Sequence, residues 1–305
     1  MTTFGPGGVD RPRFGRVLTA MVTPFGDDGR LDLDRAQALA KYLVANGNDG
    51  IVVAGTTGES ATLTHDEQIE LINAVRAAIP DHSLVAGAGS NDTAAAVELT
   101  ERATESGADG ILQVTPYYNR PNQAGIEAHF KATAAATDLP VIVYDIPVRT
   151  GRKIADDVLL RLLEVDNIVG IKDAAGDPAA SSYVLRDAPA DTELYSGDDS
   201  LTLPLLSIGA CGVIGVATHW VGAEMSAMME AFFGGDIAGA RAHNATMLDS
   251  FAYETGDAAP NPIPTKALMN LIGVPVGPGR APMDQVPADQ EAKAKAVLAG
   301  LGRHI

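Results

Sequence analysis

Thiol chemistry is almost missing from this chain. Its single cysteine, Cys211, rules out an intrachain disulfide framework and a multi-cysteine metal site. Cys211 lies in the small-residue run Gly209-Ala-Cys-Gly-Val213, which reads as packed backbone rather than the setting of a nucleophile. Positive charge is scarce too: 22 Lys and Arg stand against 39 Asp and Glu, a formal net charge of −17. Nucleic-acid partners need clustered Lys and Arg, so that class is excluded. The acidity reads as a solvated surface and leaves room for a local basic pocket around an anionic substrate. No apolar run approaches the roughly 18 residues of a membrane helix, so no membrane partner is expected. The first fifteen residues are rich in Gly, Pro and Arg and lack the apolar stretch of a signal peptide. They are expected to form a loose tail, residues 1–15, on a cytoplasmic protein.

What the chain does have is alternation. Short apolar runs bounded by turn residues exchange with segments of helical spacing. The strands are expected at Val17–Phe25, Asp49–Gly55, Leu84–Gly89, Gly110–Tyr117, Pro140–Pro147, Ile168–Ala174, Glu193–Gly197 and Gly212–Thr218. Helical patterns follow each of them, and Thr64-His-Asp-Glu67 has the spacing of a capping box. Eight such units, complete by about residue 235, imply an α/β fold: a (β/α)8 barrel over 16–235. A doubly wound open sheet is the alternative, but no glycine fingerprint follows the first strand. Residues 236–305 read as a C-terminal helical extension, too small to bury a core of its own.

One of seven lysines interrupts an apolar strand: Lys172, in Ile168-Val-Gly-Ile-Lys-Asp173. The other six, Lys266 among them, sit in polar helical or loop-like surroundings. Desolvating a charged amine is costly, so such a lysine drops its pKa or finds a partner. A neutral amine can condense with a carbonyl to a Schiff base. A structural pairing with Asp173 or another carboxylate is the other reading. In a barrel, chemistry gathers at the C-terminal ends of the strands. Those ends carry Thr56-Thr57, Tyr117-Tyr118, Tyr144 followed by Arg149, Lys172, Gly197-Asp198 and Ile214, with His219 near the last. Taken singly, a tyrosine there is a rim residue and a threonine pair is a turn. Taken together they fit carbonyl condensation: Lys172 as nucleophile, Tyr144 moving protons and Arg149 gripping a carboxylate. No His, Asp or Glu cluster has metal-ligand spacing, and Schiff-base chemistry calls for no cofactor.

The motifs AMVTPF (20–25), AGTTGESATL (54–63), VTPYYNRP (114–121), VYDIPVRTG (143–151), GIKDA (170–174), YSGDD (195–199), GVIGV (212–216) and PNPIPTK (260–266) complete the pattern. In this order and spacing the chain closely resembles the dihydrodipicolinate synthase family, of the pyruvate-dependent class I aldolases that include N-acetylneuraminate lyase. The resemblance implies pyruvate bound as a Schiff base on Lys172 and condensed with L-aspartate 4-semialdehyde. The product would be 4-hydroxy-tetrahydrodipicolinate, on the diaminopimelate route to lysine. It implies proton relay through Tyr144 and Thr56, with Tyr118 reaching in from a neighbouring subunit. Thr57 would contact the pyruvate carboxylate, and Arg149 that of the semialdehyde. Gly197 and Ile214 would lend backbone groups near the site. A homotetramer of two tight dimers is implied as well. Asp145 and Val148 depart from the residues many relatives carry. In members inhibited by lysine, the site falls at His65, Asn91 and Tyr117. Ala95 and Gln68 stand here for that site's glutamate and second histidine, so weak or absent lysine inhibition is expected. Another Schiff-base aldolase of the superfamily would share Lys172 and Tyr144. A non-catalytic barrel scaffold is the reading of a different class.

Overall fold

The computed structural model describes residues 9–303. Eight strands form a closed barrel in chain order: β1 (Val17–Ala20), β2 (Gly50–Val53), β3 (Ser83–Gly87), β4 (Gly110–Val114), β5 (Val141–Asp145), β6 (Ile168–Asp173), β7 (Glu193–Ser196) and β8 (Gly212–Gly215). Strands covered on both faces can be apolar almost throughout, as β2 and β8 are, whereas β7 also buries Glu193 and Ser196. The helices are α1 (Leu33–Ala45), α2 (His65–Ala78), α3 (Thr93–Glu105), α4 (Gln123–Ala134), α5 (Pro147–Thr150), α6 (Asp156–Leu162), α7 (Pro178–Asp187), α8 (Thr202–Leu206), α9 (Thr218–Phe233), α10 (Ile237–Glu254), α11 (Ile263–Leu271) and α12 (Gln290–Gly300). Asp32, Thr64, Asp92, Asn122 and Asp177 each accept a backbone N–H at the start of a helix. Thr64 and Glu67 form the capping box read from the sequence.

All eight strands are shorter than expected, and in β1, β4 and β8 the reasons are local. β1 stops at Ala20 because the Val22 N–H turns to the His219 ring, and further on Phe25 makes an isolated bridge to Leu31 and donates its N–H to Val276 O. Beyond β4, Thr115 still donates to Tyr144 O at 3.0 Å, but Pro116 has no N–H to offer. After β8 the chain enters α9 already at Thr218, which was expected to close the strand, and α9 carries a kink at Val221, with φ −116° and ψ 25°. The short helix α5, which carries Arg149, was not legible in the sequence.

The chain divides into two compact units. One comprises Ser83–Ile214 with the start of the chain up to Arg16. Residues 1–8 of the expected tail lie outside the described residues. The rest of that stretch is packed: Phe14 is 2% exposed, and a Cβ on Gly110 would come within 2.4 Å of its ring. Arg13 pairs with Glu193 at 3.1 Å, so ordered packing begins before residue 16.

The other unit comprises Val17–His82 and the chain from Gly215 onward. Here His219 and Trp220 fasten neighbouring segments to one another. The buried His219 ring meets Val216 O through Nδ1 at 2.7 Å and accepts the Val22 N–H on Nε2 at 3.1 Å. Burial pushes its pKa down to about 4, so the ring is a neutral clamp between two loops. Trp220 Nε1 donates to Ser250 Oγ at 3.0 Å and the indole stands edge-on to Tyr253, which fixes α10 against α9. Three helices, α10 to α12, follow the barrel in this unit. Among the described residues no helix is long and apolar enough to cross a membrane.

Candidate active site

Side chains alternate in direction along a strand, so register decides which residues meet. β5 and β6 run parallel with Tyr144 opposite Lys172 and Asp145 opposite Asp173. Tyr144 and Lys172 therefore share one face of the wall, and the two aspartates share the other. The Lys172 side chain crosses the Tyr144 ring, with Nζ 4.3 Å from its centroid. Lys172 is 4% exposed and Tyr144 is likewise buried. The phenol beside the amine can both donate and accept a proton. Gly197, just past β7, leaves the amine its room: a Cβ there would stand 3.1 Å from Lys172 Cε. Ile214 is fully buried in β8.

The two aspartates face a small cavity lined by Lys153, Asp156 and Ser181 among others. Asp173 accepts from the Ala175 N–H at 2.9 Å and from the Ser181 hydroxyl. Asp145 accepts from the Ile154 N–H at 3.3 Å. Burial pushes the Asp145 carboxyl up to about 7, and neighbouring Asp173 and Asp156 add to the rise. Lys153 and the Ile154 N–H oppose it.

Arg149 lies on α5, exposed, and forms no ion pair with a described residue. Val148 beside it is also exposed. Tyr117 and Tyr118 lie on the loop after β4 rather than on the strand. Tyr118 is 89% exposed and held at φ +71°, a conformation that costs a non-glycine residue free energy. Among the described residues no group of three or more His, Cys, Asp and Glu could hold a metal ion.

Thr56 and Thr57 follow β2 on a loop bracketed by two left-handed residues, Ala54 at φ +52° and Glu59 at φ +57°. Thr56 is half-buried. Thr57 is 3% exposed and accepts from Asn261 Nδ2 at 2.8 Å. Glu59 carries the loop's main anchor, which sequence reasoning missed. Its Oε1 pairs with Lys266 Nζ at 2.6 Å, and its Oε2 accepts the Arg280 N–H at 2.8 Å. Lys266 also donates to Pro278 O at 2.8 Å. The Lys266 amine and the Arg280 guanidinium each lie 4.3 Å from the Phe25 ring centroid. Arg280 in turn forks onto Glu67. The polar surroundings expected for Lys266 are thus corrected: it is 3% exposed, as deep as Lys172. Helical spacing does not say that a lysine's face turns inward. The signal available was one charge of each sign in two otherwise neutral motifs, AGTTGE and PNPIPTK.

The model of the dihydrodipicolinate synthetase family matches residues 13–300. The chain is 51% identical to the 4-hydroxy-tetrahydrodipicolinate synthase of Acidothermus cellulolyticus, over 95% of this chain and 93% of that protein. To the protein of the same name from Moorella thermoacetica it is 49% identical, over 95% and 99%. Its fold is similar to the crystal structure of DHDPS from Cyanidioschyzon merolae with lysine bound. The TM-score is 0.92 at 45% identity, covering 95% of this chain and 98% of that one.

Proposed function

The chain belongs to the dihydrodipicolinate synthetase family, and from that premise we propose that it works as a 4-hydroxy-tetrahydrodipicolinate synthase, a Schiff-base lyase joining pyruvate to L-aspartate 4-semialdehyde. The observation that carries the proposal to this chain's own residues is the buried Lys172 amine lying 4.3 Å from the Tyr144 ring centroid. The Lys172 nitrogen attacks the pyruvate ketone carbon. The carbinolamine loses its hydroxyl as water, and Tyr144 supplies the proton that this departure needs. The imine then gives up a methyl proton to the Tyr144 phenolate, and the enamine carbon bonds to the aldehyde carbon of the semialdehyde, whose oxygen takes that proton. The amine of the semialdehyde then attacks the regenerated imine carbon, which closes the ring and releases the Lys172 amine. The covalent imine is itself the electron sink, so the proposal includes no cofactor.

Arg149, exposed and able to offer a two-pronged donor, holds the semialdehyde carboxylate. Thr57 holds the pyruvate carboxylate, Thr56 takes part in proton relay, and Gly197 and Ile214 lend backbone groups. Tyr118 reaches into the relay of a second subunit. An aromatic ring 89% exposed on a left-handed backbone supports that role, since burial against a partner would offset both features. The assembly proposed is a homotetramer of two such dimers, in the cytoplasm.

Borohydride reduction in the presence of pyruvate, followed by peptide mass mapping, tests the reading. A reduced pyruvyl adduct on Lys172, with turnover on aspartate semialdehyde, is the expected result. An adduct without that turnover would point to another aldolase of the superfamily. A folded protein with no adduct would remove the Schiff-base chemistry altogether.

A further inference from the structure

The loop that carries Thr57 is held from its own side by backbone contacts. Glu59 N donates to Thr56 O at 3.0 Å, and Thr23 Oγ1 donates to Gly58 O at 2.5 Å. Those bonds place the Thr57 backbone but leave its hydroxyl free to rotate. The hydroxyl is set by a residue 204 positions later, Asn261, whose Nδ2 donates to Thr57 Oγ1 at 2.8 Å. Asn261 stands just before α11, and α11 is fastened to the same loop two residues further on, by the Lys266–Glu59 ion pair at 2.6 Å. Tyr253 on α10 donates to Pro264 O at 3.1 Å, so the segment bearing Asn261 is tied on both sides. The amide oxygen of Asn261 faces Thr265 Oγ1 at 3.5 Å, which orients its nitrogen toward Thr57.

A threonine hydroxyl has one hydrogen and two lone pairs. An amide N–H on a lone pair leaves the hydrogen to donate elsewhere, and a donor is what a carboxylate requires. We propose that Asn261 is a positioning residue: it fixes the rotamer and polarity of the Thr57 hydroxyl so that Thr57 donates to the substrate carboxylate. This rests on the reading of Thr57 as the pyruvate-carboxylate contact, and it gives the C-terminal extension a part in substrate binding.

The test is steady-state kinetics on Asn261→Leu, Thr57→Val and the double variant, with thermal melts to monitor the fold. Asn261→Leu keeps approximate shape but cannot donate. It is expected to raise the pyruvate KM roughly tenfold, the scale of one hydrogen bond to a charged group. Its kcat and its KM for aspartate semialdehyde should stay near wild type, the pattern of lost ground-state binding. Thr57→Val should raise the pyruvate KM, and adding Asn261→Leu to it should raise it no further. An unchanged pyruvate KM in Asn261→Leu, with a raised one in Thr57→Val, overturns the inference and leaves the Thr57 reading standing. An equal rise from Asn261→Leu on the Thr57→Val background overturns it too, since Asn261 would then act by another route. A fall in kcat and melting temperature without a change in KM would make Asn261 merely structural. An unchanged KM in Thr57→Val would remove the Thr57 reading, and the inference with it. If Asn261→Leu does not accumulate as folded protein, Asn261→Ala carries the same comparison.

Discussion

Two lysines of this chain are equally buried, and their surroundings differ. Lys172 is 4% exposed and Lys266 is 3% exposed, and each amine lies 4.3 Å from the centroid of an aromatic ring. Lys266 spends its donors on the Glu59 carboxylate at 2.6 Å and on Pro278 O at 2.8 Å. Its ring is Phe25, which has no proton to give. Lys172 lies on a phenol, at the C-terminal end of a barrel strand, with its stem passing Gly197. Burial alone therefore does not mark a nucleophile. The carboxylate beside Lys266 makes that lysine a fastener, and the proton-exchanging phenol beside Lys172, at a strand end, is what the chemistry proposed for it rests on.

The comparison breaks most visibly through activity. Lys172→Ala is expected to lower kcat/KM by about three orders of magnitude or more while the melting temperature stays close to wild type. Turnover that survives the substitution would remove the assignment. Lys266→Met should do the reverse. It leaves the Glu59 carboxylate buried without its ion-pair partner, a loss on the order of 3–5 kcal/mol in unfolding free energy. What remains folded should still take the pyruvyl label on Lys172. Adding Glu59→Gln should recover part of the stability, and a double variant weaker than Lys266→Met would contradict the pairing.

The acids of the two regions sharpen the contrast. Glu59 serves as a counter-ion, whereas burial raises Asp145, behind the Lys172 wall, to about 7. A raised folded pKa means the folded state keeps the proton while the unfolded chain, near 3.8, releases it. The stability this group contributes is present in full below pH 3.8 and is lost as pH rises toward about 7. Asp145→Asn should remove that loss. Its stability relative to wild type should climb between those pH values and level off above them, as read from denaturant midpoints. A difference independent of pH would show that Asp145 does not hold its proton.

The smallest effect concerns inhibition by lysine. Gln68 on α2 donates to Ser60 O at 3.2 Å, so its amide supports the loop that Glu59 anchors. With Ala95 in place of a carboxylate, L-lysine would lose a charge-assisted contact worth on the order of 1.5–3 kcal/mol. Half-inhibition should require about millimolar lysine or more, and sensitivity well below that would contradict the expectation.

Much of this was legible beforehand. The eight strand–helix units and the capping box at Thr64 follow from hydrophobic period and turn residues, which are local properties. Lys172 was legible for the same reason, because a charge inside an apolar strand is a local contradiction. Tyr144 could be named as its neighbour once β5 and β6 were taken to be adjacent and parallel. The buried state of Lys266 was not legible, because a lysine at helical spacing points inward or outward according to what packs against that face. The Asn261 bond to Thr57 joins residues 204 positions apart, and no local pattern reports such a contact.

The sequence by itself determined the alternation, the barrel, the strand that carries the amine and the hydroxyls and guanidinium placed at strand ends. Those depend on periodicity and on residue chemistry along a few neighbouring positions. Only the tertiary structure decided that Lys266 is tied to a carboxylate, that His219 clamps two loops, and that Asn261 bonds to the Thr57 hydroxyl. Burial, register and hydrogen-bond partnership are properties of pairs of residues far apart in the chain, and they exist only once the chain has folded.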